Sequence, residues 1–127
     1  MPASADFTPR AILKLACPFS LKFRIFLHEA GLADRFRFDV VEDGTEAYDE
    51  AKQTLEDAGT EASFPGVEIA PGEYLSDSDA LIDHYAGKFG IDRENLPLLN
   101  YYEEGVFKLS VDLFEENQEL KEEKAAA

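Results

Sequence analysis

The stretch Ala11-Ile12-Leu13-Lys14-Leu15-Ala16-Cys17-Pro18-Phe19-Ser20 decides the fold. Residues 11–16 are an apolar run with Lys14 as the single charge, the pattern of a strand buried on both faces. From about Leu21 to Ala30 apolar residues return at helical spacing. Phe19, Phe23, Phe26, Leu27 and Ala30 share one side, Lys22 and Glu29 lie on the other, and Gly31 follows as a stop. Cys17 therefore falls where a buried strand gives way to a helix. A thiol there faces unpaired N–H groups and the positive end of the helix macrodipole, which favour a nucleophilic thiolate. Pro18 suits the first helical turn, where a missing N–H costs nothing. The competing reading makes Cys17 a small buried hydrophobe, as many free cysteines are.

Working outward, residues 36–41 alternate, with Phe36, Phe38 and Val40 on one face and Arg37 and Asp39 on the other, which reads as a second strand. After the turn Glu42-Asp43-Gly44, residues 45–58 read as a surface helix capped at Thr45. Its inward residues are Tyr48, Ala51 and Leu55, and Gly59 ends it. A polar loop leads to Phe64-Pro65-Gly66. Val67-Glu68-Ile69 and Tyr74-Leu75 form a hairpin, and Ser76-Asp77-Ser78-Asp79 offers successive caps for a helix bearing Ile82, Tyr85, Ala86 and Phe89 on one face. Gly90 closes it. The order β-α-β-α-β-β-α is that of an α/β, thioredoxin-like fold: a right-handed parallel unit, then a hairpin with a covering helix.

The chain divides into a short lead-in (residues 1–10), this domain (11–90) and a helical extension (91–127). Residues 1–9 read as flexible. A long helix is expected from Pro97 to about Lys124. Leu99, Tyr102, Val106, Leu109, Leu113 and Leu120 form one stripe on it, with Phe107, Val111 and Phe114 beside them. That apolar surface is too wide for a helix touching one flat face, so the helix is expected to pack partly on a second copy as a homodimer. Residues 115–127 are mostly charged or alanine and are expected to fray.

Composition bounds the function. The 127 residues suffice for one domain with a real core, and 12 basic against 27 acidic residues give a net charge of −15. Such a surface repels phosphate backbones and anionic membranes, so neither nucleic acid nor membrane is expected as a partner. One cysteine excludes an intramolecular disulfide, and two histidines make a Cys/His metal site an unsuitable reading. There is no apolar run of membrane-spanning length and no basic-then-apolar signal pattern, so a soluble cytoplasmic protein is expected.

Three segments in order carry a resemblance: Cys17-Pro18-Phe19-Ser20 with the helix after it, Phe64-Pro65 before the hairpin, and Ser76-Asp77-Ser78-Asp79-Ala80-Leu81-Ile82. Together, over roughly residues 12–90, the chain resembles the N-terminal, thioredoxin-like domain of the glutathione transferase superfamily. Cys-Pro-x-Ser also occurs in monothiol glutaredoxin-like proteins. The resemblance implies that Cys17 contacts the glutathione sulfur and that Ser20 stands where a dithiol enzyme keeps its second cysteine. It implies a cis Phe64-Pro65 bond turning the Phe64 backbone toward the cysteinyl part of glutathione. It also implies that Asp77 and Ser78 hold the γ-glutamyl end, the carboxylate taking the ammonium and the serine with helix N–H groups taking the carboxylate. Capping of the helix is the plain alternative for that pair.

The partner for the glycine carboxylate stays open among the cations Lys14, Lys22 and Lys52 and the amide of Gln53. His28 and His84 have no evident partner and are expected at the surface. Tyr48, Tyr85, Tyr101 and Tyr102 fit core or interface duty, and no tyrosine stands at the family's usual catalytic place before the first helix. The chain carries only about one helix of the family's second domain, and the helix at 45–58 is longer than many transferases have there. Both features imply a stand-alone or truncated member. The expected activity is monothiol exchange through Cys17 with glutathione as co-substrate and a small-molecule or protein disulfide as partner. The alternatives are conjugation of glutathione to electrophiles, with Cys17 or Ser20 stabilising the glutathione thiolate and a partner subunit supplying the pocket, and a non-catalytic binding or assembly module.

Overall fold

The computed structural model describes residues 7–126, with side chains through residue 120. The expected lead-in falls mostly on residues 1–6, which lie outside the described residues, as does residue 127. The elements are β1 (Arg10–Lys14), α1 (Pro18–Glu29), β2 (Arg37–Val41), α2 (Glu46–Asp57), β3 (Gly66–Ala70), β4 (Glu73–Ser76), α3 (Ser78–Phe89), α4 (Pro97–Tyr102) and α5 (Lys108–Ala126). Short 3₁₀ turns occupy Ala33–Arg35 and Arg93–Asn95. The order through α3 is the expected β-α-β-α-β-β-α.

The four strands form one mixed sheet in the order β2-β1-β3-β4. β1 runs parallel to β2, from Arg10 opposite Arg37 to Lys14 opposite Val41, and α1 supplies the crossover that parallel neighbours require. β3 is antiparallel to both β1 and β4. This arrangement is α/β and consistent with a thioredoxin-like fold. Alternate residues of the strands divide the core. Ala11, Leu13 and Val67 pack with Phe23, Phe26 and Leu27 of α1 and Leu81, Ile82 and Tyr85 of α3. Ile12 and Val41 turn the other way, onto Ala51 of α2. Each fully buried Leu, Ile or Phe is worth about 1.5–3 kcal/mol of transfer free energy, so the α1–α3 layer dominates the stabilisation.

Several expectations are corrected. β1 ends at Lys14, two residues early, because Leu15 and Ala16 form a turn in which Ala16 takes a positive φ of 61°. Leu15 N–H donates to Val41 C=O at 2.8 Å and holds that turn against β2. α1 begins at Pro18 and not near Leu21. Val40 shares the face of Phe38 but is 50% exposed, because it lines an open cavity and not the packed core. Lys22 and Glu29, expected on a solvent-facing side, are both turned onto the extension. Lys22 is 3% exposed, and the Glu29 carboxylate accepts hydrogen bonds of 2.8 Å from Leu98 N–H and Leu99 N–H. It thereby satisfies donors at the start of α4 that have no partner within their own helix.

The long helix is also not one helix. A π-helical turn, Glu103–Phe107, separates α4 from α5. An inserted residue advances the helix face by about 100°, because successive residues are that far apart around the axis. Leu99 and Tyr102, ahead of the turn, are buried, and Leu99 with Leu96 belongs to the main core. Beyond it Phe107 and Phe114 face the domain, each edge-on to Phe19 with centroids 5.6 and 6.2 Å away. Val106, Leu109, Leu113 and Leu120 are left between 51% and 62% exposed. The single stripe read from the sequence is split by the turn. α5 stays helical to Ala126, and no helix among the described residues is long and apolar enough to cross a membrane.

Candidate functional site

Cys17 is the N-cap of α1. Its backbone is extended (φ −110°, ψ 120°), its C=O accepts the first helical bond from Leu21 N–H at 3.0 Å, and Pro18 follows at the first helical position. The side chain makes no capping hydrogen bond, so the sulfur is not committed to the helix end. Cys17 is 7% exposed and lines an open cavity of about 650 Å³ between the β1–α1 junction and α5. Ser20 lines the same cavity, and its hydroxyl oxygen accepts a 3.0 Å hydrogen bond from Lys14 N–H. Ser20 thus fastens the first turn of α1 to the end of β1 and fixes where the sulfur sits.

Tyr102 closes the cavity near Cys17. Its hydroxyl donates to Pro18 C=O at 3.0 Å, bridging 84 positions of sequence. Burial, and then the neighbouring Cys17 when ionised, raise the Tyr102 hydroxyl above its ordinary value. The sequence signals only a core tyrosine here, since Tyr102 follows Leu99 at helical spacing; its contact with the cysteine turn carries no local signature.

The other expected site residues do not line this cavity. The Phe64-Pro65 peptide is cis, the isomer the resemblance implies, and Pro65 is buried. The Phe64 ring packs on Tyr48 with centroids 5.5 Å apart. Asp77 is the N-cap of α3, accepting from Asp79 N–H at 3.0 Å and Ala80 N–H at 3.4 Å. Its φ of 95° is a strained conformation for a residue with a side chain, though aspartate tolerates positive φ better than most. Ser78, the next residue, is buried.

Among the candidate cations, Lys22 is taken. Its ammonium lies 2.9 Å from Asp79 Oδ1 and 4.5 Å from the centre of the Phe107 ring. Arg93 reaches the same oxygen at 3.0 Å and Glu103 at 2.6 Å, tying α3 to the π-helical turn. Partial burial opposes ionisation of Asp79, but the hydrogen bonds and charges of Lys22 and Arg93 outweigh it and hold its carboxyl below the usual range. Lys14 lies 3.6 Å from Asp43 and over the rings of Tyr48 and Phe114. Lys52 sits over Tyr48 as well. His28 and His84 are exposed; His28 accepts from Arg24 and stacks on Phe38, and His84 meets Tyr85 edge-on. Tyr101 is 75% exposed.

No family model matches the chain, and no curated protein matches it. Among solved structures, a chain titled glutathione transferase Omega 2C from Trametes versicolor is similar at 19% sequence identity and a TM-score of 0.47, over 65% of this chain and 38% of that one. The chain spans less than two fifths of the length of that neighbour.

Proposed function

We propose that this protein binds glutathione and performs monothiol exchange through Cys17. The observation that carries the reading is the place of Cys17: the chain's one cysteine caps α1 with its sulfur uncommitted and stands in the wall of an open cavity. A helix N-terminus stabilises negative charge, so a thiolate is favoured there. In the proposed reaction the Cys17 thiolate attacks the glutathione sulfur of a glutathione mixed disulfide. The Cys17–glutathione disulfide forms, and the substrate leaves as a thiolate that takes a proton. A second glutathione thiolate then attacks the bound glutathione sulfur, giving oxidised glutathione and regenerating the Cys17 thiolate. Resolution from outside is required because Ser20 stands three residues on. Asp77 is assigned to the ammonium of the γ-glutamyl end, Ser78 to its carboxylate and the Phe64 backbone, beside Pro65, to the cysteinyl unit.

The second reading, conjugation of glutathione to an apolar electrophile, is favoured by the cavity itself, whose apolar wall comes from this chain's own α5. Exposure of native protein to oxidised glutathione separates these readings from a structural thiol. One glutathione should add to Cys17 by mass, leave again with reduced glutathione, and fail to add to Cys17→Ser. An unmodified native cysteine beside rapid modification of unfolded protein would leave the non-catalytic binding module as the reading.

We also propose self-association through the outward stripe of α5, where Val106, Leu109, Leu113 and Leu120 keep heptad spacing without cover among the described residues. Light scattering should give twice the chain mass, and Leu109→Asp should give the monomer with its melting temperature little changed. A monomer mass for the unaltered chain at micromolar concentration would remove the proposal.

A further inference from the structure

We infer that the end of the domain where α1 and α3 finish is a docking surface for an acidic peptide segment of a partner protein, held by Arg24, Arg35 and Lys88. Arg24 also borders the Cys17 cavity, but Arg35 and Lys88 lie outside its lining, and the inference does not rest on the thiol chemistry.

A row of four rings crosses that end of the molecule. Phe38, Phe36, Tyr85 and Phe89 follow one another with centroids 6.3, 5.0 and 6.4 Å apart. The middle two rings are buried and the outer two are half-buried. Each outer ring carries cations. The Arg24 guanidinium lies 4.5 Å from the centre of Phe38, and Arg35 and Lys88 share Phe89 at 4.7 and 5.7 Å. An aromatic face holds a cation in place without neutralising it, so the guanidinium N–H groups keep their capacity for a carboxylate.

Unpaired cations are unexpected in a chain with 27 acidic residues against 12 basic ones. Among the described residues Arg10, Lys14, Lys22 and Arg93 pair with carboxylates, whereas Arg24, Arg35 and Lys88 do not, and Asp34, next to Arg35 in sequence, pairs with none of the three. The helix dipole accounts for Lys88, which stands in the last turn of α3. It does not account for Arg24, in the middle of α1, or for Arg35, in the 3₁₀ turn beyond that helix. Charge complementarity therefore selects an anion. Nucleic acid or an anionic membrane would bring dense negative charge against the rest of an acidic surface and be repelled. A short acidic segment can meet these cations alone. The three ring-to-ring steps set the outer rings no farther apart than about five or six residues of extended chain at roughly 3.3 Å each, so one such segment can reach both ends of the row.

Fluorescence anisotropy of the full chain with a fluorescein-labelled hexaglutamate peptide, beside a hexaserine peptide with the same label, tests this. Hexaglutamate should bind one per chain at low ionic strength, hexaserine should not, and added salt should weaken the complex. Replacing both Arg35→Gln and Lys88→Gln should weaken hexaglutamate roughly tenfold, and Arg24→Gln should weaken it several-fold. Lys108→Gln removes an unpaired cation on α5 and should leave the affinity within about twofold. All these side chains lie on or near the surface, so melting temperatures should change little and a loss of binding is not a loss of fold. Failure of hexaglutamate to bind, equal affinity for hexaserine, or a loss in Lys108→Gln as large as in the Arg35 and Lys88 double variant would each overturn the inference. So would sedimentation of the chain with phosphatidylglycerol vesicles that the double variant abolishes while hexaglutamate does not bind, since a membrane would then be the occupant. A salt-sensitive oligomer that persists in Leu109→Asp and dissolves in Arg35→Gln would overturn it in favour of a second copy, whose acidic α5 would be the segment bound.

Discussion

Lys22 Nζ lies 2.9 Å from Asp79 Oδ1, joining the second turn of α1 to the first turn of α3 through a side chain that is only 3% exposed. Arg93 shares that oxygen and carries the link to Glu103, so three segments of the chain meet at one carboxylate.

The pH dependence of this link has a definite sign. Asp79 is held below its usual range in the folded chain, so its contribution is present above the unfolded value of about 3.9 and is lost as pH falls through the lower folded value. Asp79→Asn should cost about 1 kcal/mol near neutral pH, a modest figure because the carboxylate is 61% exposed. The deficit in melting temperature should shrink as pH falls through that lower folded value. A deficit that stays constant down to pH 2 would show that the charge is not what matters.

Tyr85 should tolerate loss of its hydroxyl. The side chain is 1% exposed, and the hydroxyl has no hydrogen-bond partner among the described residues. Tyr85→Phe should therefore leave stability unchanged or raise it by up to about 1 kcal/mol. Burial pushes the hydroxyl up to about 12, so the neutral form favours folding fully below the unfolded value of about 10 and loses that advantage as pH rises toward 12. Calorimetric melting above pH 10 should fall more steeply for the unaltered chain than for the Phe variant. A clear loss of stability at pH 7 would reveal a partner for the hydroxyl.

Gly66 is needed for room and not for its torsion. A Cβ there would lie 2.7 and 2.9 Å from the two Cδ atoms of Leu55, whose side chain is fully buried and must shift to make room. Gly66→Ala should cost about 1–3 kcal/mol by overpacking. Leu55→Val in the same chain should recover part of it, and denaturant melts of the double variant should fall short of the sum of the singles. Strict additivity would mean that β3 and α2 move apart independently of Leu55.

Asp77 separates capping from ligand charge. Asp77→Ala removes the acceptor for Asp79 and Ala80 N–H and should cost about 0.5–2 kcal/mol of stability. Asn keeps a capping oxygen and tolerates positive φ, so Asp77→Asn should melt nearly as the original. If the carboxylate holds the ammonium of glutathione, both variants should weaken binding by about 1–3 kcal/mol in calorimetry. Glutathione affinity unchanged in Asp77→Asn would leave capping as the residue's work.

Much of the fold was legible because its signals are local. The apolar run ending at Cys17 followed by Pro18 marked the strand-to-helix junction. Thr45 caps α2 by accepting from Tyr48 N–H at 3.2 Å, three residues away. Gly90 ends α3 in the left-handed conformation that glycine adopts without cost. Asp77 was legible as a cap for the same reason, whereas the cis Phe64-Pro65 bond was expected only from the family resemblance, since an X–Pro pair permits either isomer.

Other features were not legible, because they depend on what lies opposite a side chain. Lys22 and Glu29 share the helix side the sequence assigned them, but periodicity cannot tell whether solvent or another segment faces that side. Their partners lie 57 and about 70 positions further on, in α3 and α4. Tyr102 meets the cysteine turn across 84 positions. The π-helical turn at Glu103–Phe107 rephases the apolar stripe although the spacing of leucines continues unbroken through it. Sequence by itself determined the order of elements, their caps and the junction that presents Cys17, since a backbone's torsions and its nearest hydrogen bonds are set within a turn or two. Only the tertiary structure decided that Lys22 is buried, that Tyr102 closes over Cys17 and that a cavity opens beside the sulfur, because burial and charge pairing are properties of surfaces brought together from distant parts of the chain.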